Sequence, residues 1–322
     1  MPALIRRGLL ALATLMLLAG CAGRPLQLPP ATEQLPERVE LTDTPFFAQQ
    51  DYQCGPAALA TVLVQRGVAT SPEALLPSVY LPGRKGSLKV ELVAAARQHG
   101  QLVYPLRPAL DALLTQVAAG NPVLVMQNLG FDWYPQWHFA VVVGYDRARQ
   151  ELVLRSATQK RWLTDFTAFD RSWARAERWA VLTLPPDRLP AEPQLGAWLQ
   201  AASDLEQTGQ RAAAEAAYRT AIAHWPGEAL PGFALANLRY AEGDRMAAEA
   251  ELRSSLGRRG DFAPGWFNLS ELLNERGCVA LAQDARRCAQ RLAPADKRLM
   301  APLSAAGAQA GTCPSLPRCA PP

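Results

Sequence analysis

What is scarce in this 322-residue chain narrows its function first: it holds only three histidines and six cysteines, so few side chains are available for acid–base or thiol chemistry. Charged residues are 19% of the total and the formal net charge is only +4, with no long basic run. That excludes a surface built to neutralise nucleic-acid phosphates. After the N-terminal segment there is no further apolar run of about 20 residues, which excludes a bundle of membrane-spanning helices. At 49% apolar the chain is too hydrophobic for disorder, and its 27 prolines and 22 glycines follow no collagen period. The length predicts two domains.

The first segment reads as an export signal. Arg6 and Arg7 precede the apolar stretch Gly8 to Leu18, which is short for a bilayer span, and Leu18-Ala19-Gly20-Cys21 closes it. This arrangement resembles the lipobox of bacterial lipoproteins. The resemblance implies a signal peptide over residues 1–20 and a lipid-bearing Cys21. With Ala22 rather than Asp next, it further implies an outer-membrane anchor facing the periplasm. Residues 21–44, proline-rich, then read as a tether.

Four prolines between Leu184 and Pro193 mark a boundary. The expected order is a first domain over 45–186, a linker over 187–194, an all-helical domain over 195–298 and an Ala/Pro-rich tail over 299–322. In the helical part Gly209, Gly243 and Gly277 are spaced by 34, as are Ala214, Ala248 and Ala282, while Pro226, Gly260 and Pro294 close the units. This resembles a solenoid of three tetratricopeptide repeats, which implies a surface for a protein partner or a purely stiffening role. Gly232 and Arg286 depart from the pattern, the latter standing where Tyr218 and Leu252 fill the second helix. Near the C-terminus Cys278, Cys288, Cys313 and Cys319 allow three disulfide pairings; a zinc site is the rival, but no histidine lies among them and the spacing is not that of a familiar ligand set.

Chemistry points to the first domain. Cys54 directly precedes an expected helix over Gly55 to Gln65, where unpaired N–H groups and the helix dipole favour a thiolate. Among the histidines, His99 ends the helical stretch before Gly100 and His224 lies in the second helix of the first repeat, whereas His138 opens the strand-like run His138-Phe139-Ala140-Val141-Val142-Val143-Gly144-Tyr145-Asp146. A cysteine followed later by such a histidine suits a thiol nucleophile with its base. Further strands are expected over 102–104, 122–126, 151–157 and 178–184, with helices over 88–100 and 109–119. The aromatic insert Gly130 to Trp137 reads either as one wall of a cleft or as a loop folding its rings onto the domain.

Taken together, Gln49-x4-Cys54-Gly55-Pro56-Ala57-Ala58-Leu59, the stretch Leu81 to Ser87 and the His138 strand resemble the bacteriocin-processing cysteine peptidases. Those are papain-like enzymes that cut after double-glycine leaders. The resemblance implies an α+β papain-like fold, Cys54 as nucleophile, His138 as general base and acid, Gln49 as oxyanion donor, a peptide or protein substrate, and no metal or organic cofactor. The family's orienting Asp is absent. Arg155 or Ser156 stands in its place, and Ser156 is the residue able to accept a hydrogen bond from the ring; Asp146 belongs to the turn before Glu151. The expected function is therefore a lipid-anchored cysteine peptidase, with a peptide-binding protein lacking turnover as the alternative.

Overall fold

The computed structural model describes residues 27–49, 53–308 and 312–321. The expected signal peptide and Cys21 lie outside the described residues. Contacts divide the described residues into two compact units: one comprises those up to Gln65 with Ala69–Lys89 and Leu106–Val181, the other Arg66–Val68, Val90–Pro105 and those from Leu182 onward.

The first unit is an α+β domain on an antiparallel sheet. Strands β1 (Arg38–Glu40), β3 (Val123–Asn128), β4 (Trp137–Asp146), β5 (Glu151–Ser156) and β6 (Gln159–Asp165) belong to it, and β7 (Ala180–Leu184) pairs with β3 through Ala180 and Val181. The order runs β7-β3-β4-β5-β6, with β1 alongside β4. Helix α1 (Cys54–Gln65) is buried from Gly55 to Leu63 and apolar all round, as befits a helix at the centre of a fold. It packs on β4 and on α2 (Pro72–Val79), while α4 (Leu110–Ala118) also packs on β4.

Four strands and α-helices were not expected from the sequence: β1, which pairs with β4 although it lies in the stretch read as a tether, α2, β6 and α5 (Phe166–Ala174). Helix α5 starts where the Asp165 carboxylate accepts from the N–H groups of Thr167 and Ala168 at 2.8 and 3.1 Å. It buries Phe166, Phe169, Ser172 and Trp173 along one face.

The second unit holds α3 (Lys89–Gln98) from Val90 onward, β2 (Leu102–Pro105) and a C-terminal region of six helices. The six are α6 (Leu195–Gln207), α7 (Arg211–His224), α8 (Leu230–Ala241), α9 (Arg245–Arg258), α10 (Ala263–Glu275) and α11 (Val279–Leu292), each packed on the next. Gly209, Gly243 and Gly277 follow α6, α8 and α10 with φ of +81°, +84° and +73°, the left-handed conformation that ends a helix and turns the chain back. Ala214, Ala248 and Ala282 are fully buried where successive helices meet.

Disulfides join Cys278 to Cys313 and Cys288 to Cys319, selecting one of the three pairings. They hold the tail against α10 and α11, with Leu303 and Leu316 packed on the core that contains Trp266 and Leu256. At Gly260 the Arg318 carbonyl approaches so closely that a Cβ would lie 2.5 Å from it. Arg286 explains its departure from the repeat: buried under the start of the tail, it donates to Ser270 Oγ at 3.0 Å and to the Ala301 carbonyl at 3.3 Å, pairs with Glu271 and stacks 4.2 Å over the Phe267 ring.

Candidate active site

Cys54 is the first residue of α1, and Pro56 in the first turn presets the helical φ where its missing N–H would have had no partner. It is the only free cysteine among the described residues, and it is partly buried. The main-chain N–H groups of Phe139 and Gly55 reach its sulfur. Phe139 is the residue after His138 on β4.

The same peptide region receives Gln49. Its Nε2 donates to the Phe139 carbonyl at 3.5 Å, the long limit of a hydrogen bond, and its own N–H donates to the Ala157 carbonyl at 3.0 Å. Gln49 and Cys54 thus meet on the backbone beside His138, across the open end of β5. The segment leading to Gln49 is tied down by Arg155, whose guanidinium donates to the carbonyls of Leu41, Thr42 and Thr44 at 3.3–3.4 Å and to that of Lys160 at 2.6 Å. Side chains alternate along a strand, so Arg155 and Ser156 serve opposite faces. Of the two residues in the place of the missing Asp, it is Ser156 that faces the imidazole: Ser156 Oγ lies 2.8 Å from His138 Nε2. In the tautomer with Nε2 protonated, Ser156 accepts and Nδ1 is left as the basic nitrogen.

Behind the ring lies a cavity of about 150 Å³, lined by Gln127, His138, Ser156, Thr164 and Ser172 among others. Gln127, paired across the sheet with His138, donates to Ser172 Oγ at 2.7 Å. Gln127 and Ser172 were not singled out in the sequence, and Arg155, weighed there only as a stand-in for the missing Asp, instead holds the segment before Gln49. His99 is exposed just after the end of α3, as expected, and His224 is exposed at the end of α7. Asp146 accepts from the Arg149 N–H in the turn after β4 and takes no part.

Burial sets the protonation states. It pushes the Cys54 thiol up, overriding the N–H groups that pull it down, so the resting thiolate expected from the helix terminus is not the favoured form. It also pushes His138 down to about 4, leaving a neutral imidazole at neutral pH. Cys54 and His138 share no direct hydrogen bond; the backbone of Phe139 is what connects them. Among the described residues no group of three His, Cys, Asp or Glu side chains converges as a metal site.

Residues 41–181 match the sequence model of the Peptidase_C39 like family. They form a C39-like domain. No curated protein matches the chain. Similar solved structures include a Bacillus anthracis protein described as C39-like, 16% identical over 46% of this chain and 98% of its own, with a TM-score of 0.39. Another is Xylellain, a cysteine protease from Xylella fastidiosa, 11% identical over 50% of this chain and 90% of its own, with a TM-score of 0.35. Helical residues beyond 181 lie outside the C39-like match.

Proposed function

We propose that the C39-like domain is a cysteine peptidase working from a neutral Cys–His pair. The observation that carries this reading is the meeting of Cys54 and Gln49 on the Phe139 peptide, next to an imidazole held by Ser156. His138 Nδ1 takes the Cys54 proton as the sulfur attacks the scissile carbonyl, forming the C–S bond. Charge developing on the carbonyl oxygen is met by the Cys54 N–H and by the Gln49 amide, which leaves its long bond to Phe139. The imidazolium then protonates the departing amine as the C–N bond breaks. Water, deprotonated by the same imidazole, attacks the thioester; the C–S bond breaks, the acid product leaves, and the imidazolium returns its proton to the Cys54 sulfur.

The six C-terminal helices are read as a tetratricopeptide solenoid offering a face to a protein partner. The chain is read as anchored through lipid on Cys21 to the periplasmic face of the outer membrane. Incorporation of labelled palmitate that is lost in Cys21→Ala tests the anchor.

For the activity, the full chain is incubated with peptides from a denatured protein mixture and the products are identified by mass spectrometry. Cleavage absent from Cys54→Ala, with a thioester adduct on Cys54, is the expected result. Identical product profiles from the wild-type chain and Cys54→Ala reject the peptidase reading. The lack of a direct Cys54–His138 bond favours a second reading, a domain that grips peptides without cutting them. That reading predicts peptide binding with no products.

A further inference from the structure

The aromatic insert forms a hairpin between β3 and β4 whose rings face outward. Phe131 and Tyr134 exchange main-chain hydrogen bonds at 3.1 and 3.2 Å, and the buried Asn128 side chain accepts from the N–H groups of Gly130 and Gln136. Arg175 in turn donates to the Asn128 carbonyl at 2.8 and 3.2 Å. At Gly130 a Cβ would collide with the Tyr134 carbonyl, so the hairpin closes only on glycine. This is a held structure, yet it leaves Trp133 81% and Phe131 64% exposed, stacked on each other at 5.5 Å between centroids. Of the two alternatives read from the sequence, the rings of Phe131 and Trp133 do not fold onto the domain.

Trp137, at the base of the hairpin, precedes His138 and lines a groove of about 350 Å³, apolar along Met126, Leu88 and Ala176 and charged along Arg175 and the ion-paired Lys89 and Glu177. Met126 is the cross-strand partner of Phe139, on whose backbone Cys54 and Gln49 meet. Arg175 lines both this groove and the cavity beside His138, so the groove adjoins the candidate site. Ser87 Oγ is closed off from solvent and has no hydrogen-bond partner. An apolar cavity of about 150 Å³ is enough to hold benzene. The present groove has room for a large side chain, and a pair of glycines would leave its apolar walls uncovered.

We infer that the groove and the aromatic hairpin select a polypeptide segment carrying a large apolar or aromatic side chain beside the scissile bond, not a double glycine. The inference deepens the peptidase reading by naming its substrate class, and it rests on that reading only for the word scissile. Trp137, Met126 and Leu88 flank the side chain, and the Phe131–Trp133 pair covers the residues beyond.

The test uses the full chain as Cys54→Ala, so that binding is read without turnover. The probes are two fluorescein-labelled decapeptides identical except for a central Phe-Ala or Gly-Gly, followed by fluorescence anisotropy. The Phe-Ala peptide is expected to bind at least about tenfold tighter, the scale of burying one aromatic side chain. Trp133→Ala and Phe131→Ala, both on the exposed tip and remote from the core, are expected to weaken it. Equal affinities, tighter binding of Gly-Gly, no binding of either peptide, or indifference to both tip variants overturns the inference. Preferential binding of Phe-Ala by Cys54→Ala, with no cleavage of that peptide by the wild-type chain, upholds the inference and overturns the peptidase reading. Cleavage of both peptides at equal kcat/KM does the reverse.

Discussion

Among the described residues of the first unit, one unpaired thiol stands at the start of a helix packed on the sheet, and no disulfide is present. In the second, four cysteines form two disulfides and none is left free. The first unit gets its order from a continuous apolar sheet and buried helix, so its cysteine is available for chemistry. The last helices of the second expose an end that has no further pair to pack on, and covalent bonds hold a tail over it. The same element serves reactivity in one place and closure in the other, and the surroundings decide which.

The strongest way to break the comparison is Cys54→Ala, which is expected to lower peptide cleavage by about four orders of magnitude or more. Its effect on stability should stay within about 1 kcal/mol, read as an unchanged denaturation midpoint, because the side chain makes few contacts that Ala does not. The reverse is expected for reduction of the full chain. With separations of 35 and 31 residues, each disulfide stabilises by about 3–4 kcal/mol on loop-entropy grounds. Hydrogen exchange after reduction should show protection lost in α10, α11 and the tail, with the sheet and peptide cleavage retained. Equal loss in both units would remove the distinction.

Acid should act mainly on the first unit. His138 is held at about 4 in the folded chain against an ordinary value of 6.5, so between these values the unfolded chain binds more protons. Stability from this group is fully present above pH 6.5 and is lost as pH falls towards 4, by at most about 3 kcal/mol. A His138→Gln variant should flatten that part of the pH–stability curve. The smallest effects are expected at Ser156. Ser156→Ala should lower kcat about tenfold with little change in KM, and Ser156→Asp should raise the His138 pKa, moving the acid limb of the pH–rate profile upward. An unmoved profile in the Asp variant would remove Ser156 from its positioning role.

The residues of the site were legible because the chemistry constrains both type and order: a cysteine before an apolar helix, a glutamine five residues earlier, a histidine opening a buried strand. The choice between Arg155 and Ser156 was not, since it depends on which face of β5 meets β4, and the bulge between Val142 and Gly144 shifts that register. The thiol's protonation was misjudged for a similar reason: the dipole of α1 is written in the sequence, whereas the burial that outweighs it is not. Strand β6 escaped notice because Lys160, Arg161, Trp162 and Leu163 are all exposed and show no alternation of burial. Helix α5 could have been found from Asp165 as a cap with Phe166, Phe169 and Trp173 at helical spacing. In the helical unit the 34-residue spacing carried over to the turns and contacts, while the pairing of cysteines depended on how the tail runs back past Gly260.

That returning tail has a consequence for growth of the helical array. With Leu303 and Leu316 laid over the final pair, the row of helices ends in a lid, and another copy's helices find no bare ridge there to extend it. The lid is locked by oxidation, so a strongly reducing solution would loosen the stopper and leave a hydrophobic terminus open to self-association.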